Sequence, residues 1–241
     1  MTSPKTVALI PAYNEEGSIT GTIQSLKDLE PIGQVVVVDD GSTDNTASLS
    51  KKAGALVVRL ERNVGKGDAL NHALSEFASL DFGILLLIDA DVGETAKEAS
   101  KLLLPVVRGE ADMTIAVFPK QKHKGGFGLV KGLARWVIKA KTGRVMEAPL
   151  SGQRALRREV LTALGKFARG FGMEVALTID ALKAGFNVKE VPVDMTHTLT
   201  GRDIPGFVHR GRQFLSVLSV LLARRRGPVQ RLSRVPRQGS G

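Results

Sequence analysis

Four apolar residues running straight into two carboxylates, Leu85-Leu86-Leu87-Ile88-Asp89-Ala90-Asp91, constrain this chain more than any other stretch. A short unbroken apolar run predicts a strand buried on both faces, as in a parallel sheet. Its C-terminal end is where open α/β sheets bind ligands. Residues i and i+2 of an extended chain share a side, so Asp89 and Asp91 are expected to converge on one small target. Hard oxygen donors of this kind suit Mg²⁺ or Mn²⁺ shared with substrate phosphates. Two solvated turn residues after a strand are the alternative.

The same arrangement recurs along the chain. Thr6–Ile10 predicts a strand, and the loop Pro11-Ala-Tyr-Asn-Glu-Glu16 turns into a helix with Ile19, Ile23, Leu26 and Leu29 on one face. Val35–Val38 is a second buried strand closed by Asp39-Asp40-Gly41-Ser42-Thr43-Asp44, with Ser42 or Thr43 a natural cap for a helix through Lys52. A third strand, Ala55–Leu60, precedes the glycine-punctuated loop Asn63-Val-Gly-Lys-Gly67 and another helix. Beyond Asp91 come a helix over 95–107 and a strand over 112–117. Strands alternating with helices of about 10–15 residues predict βαβ units and a mostly parallel central sheet flanked by helices.

The second half is more basic and less regular. Pro119–Gly128 predicts a surface loop, followed by a helix over 129–141, a helix opened by Gly170-Phe-Gly-Met-Glu174 and a strand over 187–193. The final amphipathic helix, 204–226, carries Phe207, Phe214, Leu215, Leu218 and Leu222 on one stripe. Six arginines and no acidic residue occupy 224–241, and the net charge is +10. Such an excess serves an anionic membrane or a phosphorylated substrate. Nucleic acid is not expected, because only 5% of residues are aromatic and no nucleic-acid-binding motif occurs. Cysteine is absent, which excludes disulfides and thiol chemistry. The apolar run 214–223 is about half of what a spanning helix needs. A cytoplasmic protein, peripheral at the inner face of the membrane through this helix and tail, is expected; a homodimer is left open.

Ile10-Pro-Ala-Tyr-Asn-Glu-Glu16, Val38-Asp-Asp-Gly-Ser-Thr-Asp44, Asn63-x-Gly-Lys-Gly67 and Asp89-Ala-Asp91, in that order and each after a strand, resemble the successive signatures of family 2 glycosyltransferases, which have the GT-A fold. The resemblance covers roughly residues 5–220. It implies a nucleotide-diphosphate sugar donor, UDP-linked, and a Mg²⁺ or Mn²⁺ cofactor. Backbone groups of Pro11, Ala12 and Tyr13 would meet the base, Asp40 the pyrimidine NH and Glu15 the ribose hydroxyls. Gly65 and Gly67 allow close approach at a helix start, where Lys66 can neutralise phosphate. Asp91 would ligate the metal and Asp89 would contact ribose or the metal's waters.

Pro149-Leu-Ser-Gly152, Gly170-Phe-Gly-Met-Glu-Val175 and Val193-Asp-Met-Thr-His197 are similar to the acceptor half of glucosyl-3-phosphoglycerate synthases, a retaining group in which a histidine completes the metal site. The Gly-x-Gly-x-Glu pattern also occurs in transferases acting on polyprenyl phosphates. The implied acceptor is phosphorylated or lipid-linked: a polyprenyl phosphate or a small phosphorylated acid. His197 would be the second metal ligand, Glu174 a general base or an orienting carboxylate, and Arg144, Ser151, Gly152 and Arg154 the acceptor contacts. The expected organisation is a nucleotide-sugar half, about 1–118, an acceptor half, about 119–226, and a basic tail over 227–241. A nucleotidyltransferase of related fold and a degenerate membrane-tethered nucleotide-binding module are the alternatives. The first lacks its glycine-rich phosphate loop here, where Pro11–Glu15 stand instead.

Overall fold

The computed structural model describes residues 5–119 and 127–196. The expected helix over 204–226, the basic tail and His197 lie outside the described residues. Seven strands form one sheet in the order β3-β2-β1-β4-β6-β5-β7. These are β1 (Thr6–Ala12), β2 (Ile32–Asp39), β3 (Leu56–Arg59), β4 (Ile84–Leu87), β5 (Met113–Val117), β6 (Arg154–Arg157) and β7 (Val188–Pro192). All run parallel except β6, which pairs antiparallel with both β4 and β5. Sequence periodicity had left 154–157 without an element, because Arg154-Ala-Leu-Arg157 shows neither an apolar run nor a clean alternation.

Alternation on the strands explains the layers. Leu9, Val36, Val38, Leu85, Leu87 and Ile115 face one apolar layer; Ala8, Ile10, Val37, Leu86, Ile88 and Ala116 face the other. The first layer packs on α3 (Lys66–Glu76), α5 (Phe127–Thr142) and α7 (Met173–Lys183); the second packs on α1 (Ile19–Lys27) and α4 (Ala99–Val107). Two shorter helices, α2 (Thr46–Lys52) and α6 (Arg158–Leu164), complete the flanks. The apolar run of β4 is thus buried from both sides, as a parallel-sheet strand must be. Because the chain leaves β1 for β2 and β3 and then returns to β1's other side as β4, the strand order switches at β1. Crevices at such switch points hold ligands, and here the crevice lies between the loops after β1 and β4.

The helix after β2 begins at Thr46 rather than at Ser42 or Thr43. Ser42 is used elsewhere: its Oγ accepts the backbone N–H of Asn14 at 2.9 Å.

Gly67 and Gly132 both lie inside helices but differ in their surroundings. A Cβ on Gly67 would run into the carbonyl oxygen of Ala168, whereas one on Gly132 would meet nothing within 4 Å. Alanine gains about 1 kcal/mol of helix propensity over glycine, while overpacking against backbone costs roughly 1–3 kcal/mol. Gly132→Ala is therefore expected to raise the thermal unfolding midpoint, and Gly67→Ala to lower it.

Candidate active site

The loops after β1 and β2 are knitted into one wall. Asn14 adopts the left-handed conformation (φ 56°), and its Oδ1 accepts the N–H of Thr43 at 2.9 Å. Glu15 N–H donates to Thr46 Oγ1 at 2.8 Å, and Glu16 Oε2 accepts from Asn45. This fixes Tyr13 at the rim, 46% exposed. Asp40 is buried beneath, where its two oxygens accept the N–H groups of Val64 and Gly65, each at 2.8 Å. Asp40 thereby holds the loop after β3 against the loop after β2. Each of its oxygens keeps a second lone pair for a ligand N–H.

Lys66, the first residue of α3, is the electrostatic centre. Its Nζ lies 2.6 Å from Asp89 Oδ1 and 3.2 Å from Glu174 Oε1. Burial works against the ammonium, but the two carboxylates outweigh it and hold its pKa above the ordinary lysine value. Asp89 is gripped from the other side by Gln153 Nε2, at 2.7 Å from Oδ2. The backbone of Gly152 sits so close to this pair that a Cβ there would lie 2.5 Å from Lys66 Nζ and 2.7 Å from Asp89 Oδ2. The expected Lys66, Asp89, Gly152 and Glu174 are thus brought together, and Ser151 adjoins them through Gln153.

Asp89 and Asp91 are not successive residues of one strand, as the sequence pattern predicts. Extended backbone stops at Asp89 (φ −73°, ψ 149°), and Ala90–Glu98 is 3₁₀ in character with a kink at Gly93 (φ 52°). Thr22 of α1, fully buried, sets Asp91 instead: its Oγ1 donates to Ala90 C=O at 2.8 Å and accepts from Gly93 N–H at 2.9 Å. Asp91, Asp89 and Asp44 still share one negative field. Burial first, and then these three charges, raise the Glu15 pKa despite the hydrogen bond from Ser18.

Arg154 is corrected as an acceptor contact. The side chain is fully buried and donates to Ser151 C=O at 2.8 Å and to Thr178 Oγ1 at 2.8 Å, so it supports the 149–153 turn from behind. Burial lowers its pKa to about 10. Arg144 is exposed at the start of the same loop. That loop is also held by Glu190 of β7, whose carboxylate accepts the N–H groups of Glu147 and Ala148 at 2.8 and 2.6 Å. None of Gln153, Thr22 and Glu190 is a predicted site residue, although Glu190 falls within the Ala184-Gly-Phe-x-Val-x-Glu-Val-Pro-Val193 pattern shared with transferases acting on polyprenyl phosphates, and Gln153 is a polar residue between Gly152 and a buried strand.

Among the described residues, no three Asp, Glu, His or Cys side chains could hold a metal ion by themselves. Mg²⁺ needs only one or two carboxylates when substrate phosphates complete its shell. The hard-oxygen character of Asp91 and Asp89 and the negative field at Glu15 fit such an ion.

A carboxylate whose folded pKa is raised is favoured in its neutral form. The folded state is helped below the unfolded pKa, and that help is lost as pH rises through the folded value. Glu15→Gln is therefore expected to raise the unfolding midpoint at pH 7, with the gain disappearing below the ordinary glutamate value of 4.5. Thr22→Val should cost about 1–3 kcal/mol in urea unfolding, because buried Ala90 C=O and Gly93 N–H lose their partner.

The chain is similar in sequence to two known proteins and in structure to a third. The glycosyltransferase AglJ of Haloferax volcanii is 30% identical over 197 residues, covering 80% of this chain and 63% of that protein. Polyprenol monophosphomannose synthase of Mycolicibacterium smegmatis is 27% identical over 215 residues, covering 82% and 79%. Glucosyl-3-phosphoglycerate synthase of Mycobacterium tuberculosis, crystallised with Mn²⁺, UDP and phosphoglyceric acid, superposes with a TM-score of 0.75 at 29% identity over 92% of this chain and 78% of that one. The chain spans less than two thirds of the length of the Haloferax protein. Residues 7–161, from β1 to within α6, match the model of glycosyl transferase family 2, and the chain belongs to that family.

Proposed function

We propose that the protein is a metal-dependent glycosyltransferase that moves a sugar from a UDP-linked donor to a phosphorylated or lipid-linked acceptor. The observation that carries this reading is Lys66, poised at the start of α3 between Asp89 and Glu174. A diphosphate arriving at that helix start meets the ammonium and the helix dipole together. UDP as the donor nucleotide is supported by the mycobacterial synthase crystallised with UDP and Mn²⁺. A phosphorylated or lipid-linked acceptor is supported by the phosphoglyceric acid in that crystal and by the polyprenol relative.

In this reading Pro11, Ala12 and Tyr13 line the base, Asp40 receives its NH, and Glu15 takes ribose hydroxyls. The N–H of Gly65 is already given to Asp40, so Gly65 shapes the loop and Lys66 meets the phosphate. Asp91, with Asp89 behind it, would hold Mg²⁺ or Mn²⁺, which offsets charge on the departing diphosphate. His197 stays in the proposal as a further ligand. It follows Thr196, whose N–H donates to Thr95 on the segment carrying Asp91, at 3.1 Å. Ser151, Gly152 and exposed Arg144 face the acceptor. The acceptor oxygen forms the new bond to the anomeric carbon as the sugar–diphosphate bond breaks and its electron pair leaves with UDP. Glu174 takes the proton of an acceptor hydroxyl as that bond forms, an acceptor phosphate oxygen having none to give up, and Lys66 steadies the diphosphate. No described helix is long and apolar enough to cross a membrane; the arginine-rich tail is the proposed attachment to an anionic membrane.

Isothermal titration with UDP, with and without Mn²⁺, tests the reading. Wild-type binding is expected to depend on Mn²⁺. Asp91→Ala should remove that dependence, and Lys66→Met should weaken binding by about tenfold, the low end for a charge-assisted contact that solvent partly screens. Absence of UDP binding at every Mn²⁺ concentration would overturn it.

A further inference from the structure

The outer face of α5 has no role in the site. Its inward residues Val130, Ala134, Val137 and Ile138 are buried in the core, so packing accounts for that side of the helix. The opposite side presents Lys131, Arg135, Trp136 and Lys139, all exposed, with Arg144 just past the helix end. Trp136 is the only tryptophan of the chain and is 60% exposed. Tryptophan, with an apolar body and a polar N–H, is enriched at interaction surfaces, and here it stands in the middle of a basic face. No acidic residue occurs between Asp112 and Glu147, so nothing along this stretch balances its charge.

Charge selects the occupant. The other apolar stripe of the chain, Phe207, Phe214 and Leu218, is accompanied by Arg210, Arg212 and Arg224 to Arg226. That stripe and a second copy of this face are both repelled by it. An anionic partner is attracted. Trp136 offers an apolar ring with a polar N–H, the combination enriched at the headgroup level of bilayers. Lysine and arginine stems lie along apolar surface while their charges stay with the headgroups. Exposed Gly132 and Ala140 leave the helix backbone close to the outer plane. We propose that the outer face of α5 rests on an anionic lipid bilayer, with Trp136 at headgroup level and Lys131, Arg135 and Lys139 over the lipid phosphates. From α5 the chain continues through 143–153 to Gly152 beside Lys66 and Asp89. The inference does not require glycosyl transfer.

The single tryptophan makes the test specific to this helix. The full chain is mixed, without nucleotide, with vesicles of phosphatidylcholine alone or with added phosphatidylglycerol, and Trp136 emission and co-sedimentation are recorded. Co-sedimentation and a blue shift are expected only with the anionic vesicles, and both should fall with added salt. At about 1 kcal/mol for each basic side chain near the surface, the double variant Arg135→Gln, Lys139→Gln should partition roughly thirty-fold more weakly. Its unfolding midpoint should be unchanged. Co-sedimentation with unshifted Trp136 emission would assign the vesicle contact to the tail and overturn the proposal, as would no binding. Emission that responds to an RNA oligonucleotide but not to vesicles would overturn it in favour of nucleic acid.

Discussion

The Lys66 ammonium, 2.6 Å from Asp89 and 3.2 Å from Glu174, joins parts of the chain that are far apart in sequence. Asp89 ends the β4 run and Glu174 lies in the first turn of α7, so one cation ties the end of a parallel strand to a helix of the second half of the chain. Its side chain is about one third exposed, and solvent screening moderates the energy of each contact. Its larger effect is on the carboxylates. With Asp91 and Glu15 also near, the crevice carries an excess of negative charge, and Lys66 is the group that lets Asp89 and Glu174 approach one another without a bound ligand.

Around this centre, buried and half-buried side chains stand in for regular secondary structure. The 143–153 loop has no element of its own, yet Glu190 takes two of its N–H groups and Arg154 takes the Ser151 carbonyl. The middle of α3 is tied similarly: the Asn71 amide both donates to and accepts from the backbone of Phe167. Loops held in this way can carry functional groups with the precision of a helix or strand.

The parts legible in the sequence were those with a local period. Runs such as Val35–Val38 and Leu85–Ile88 can only be strands buried on both faces, and the polar stretches closing them marked the ligand edge before any coordinates. The network behind that edge was not legible. Thr22 is an ordinary helical threonine until Ala90 and Gly93 fold against it, and Arg154 resembles a phosphate-binding surface arginine until β6 buries it. Thr22 finds its partners 68 and 71 residues along the chain and Arg154 finds Thr178 24 residues on, so both roles arise from tertiary packing. Asp40 shows the intermediate case, where its motif marked a functional loop but not that its oxygens hold Val64 and Gly65.

The antiparallel placement of β6 has a consequence for how the chain can be divided. β6 is the strand that joins β4 to β5, so the first 118 residues alone would leave the apolar run of β4 as a bare sheet edge. A long, flat, apolar edge is a template for aggregation. The first 118 residues are therefore not a detachable module: their central strand is completed only after the chain has passed through α5 and come back, and a ribosome that has released only this portion has not yet supplied a foldable unit.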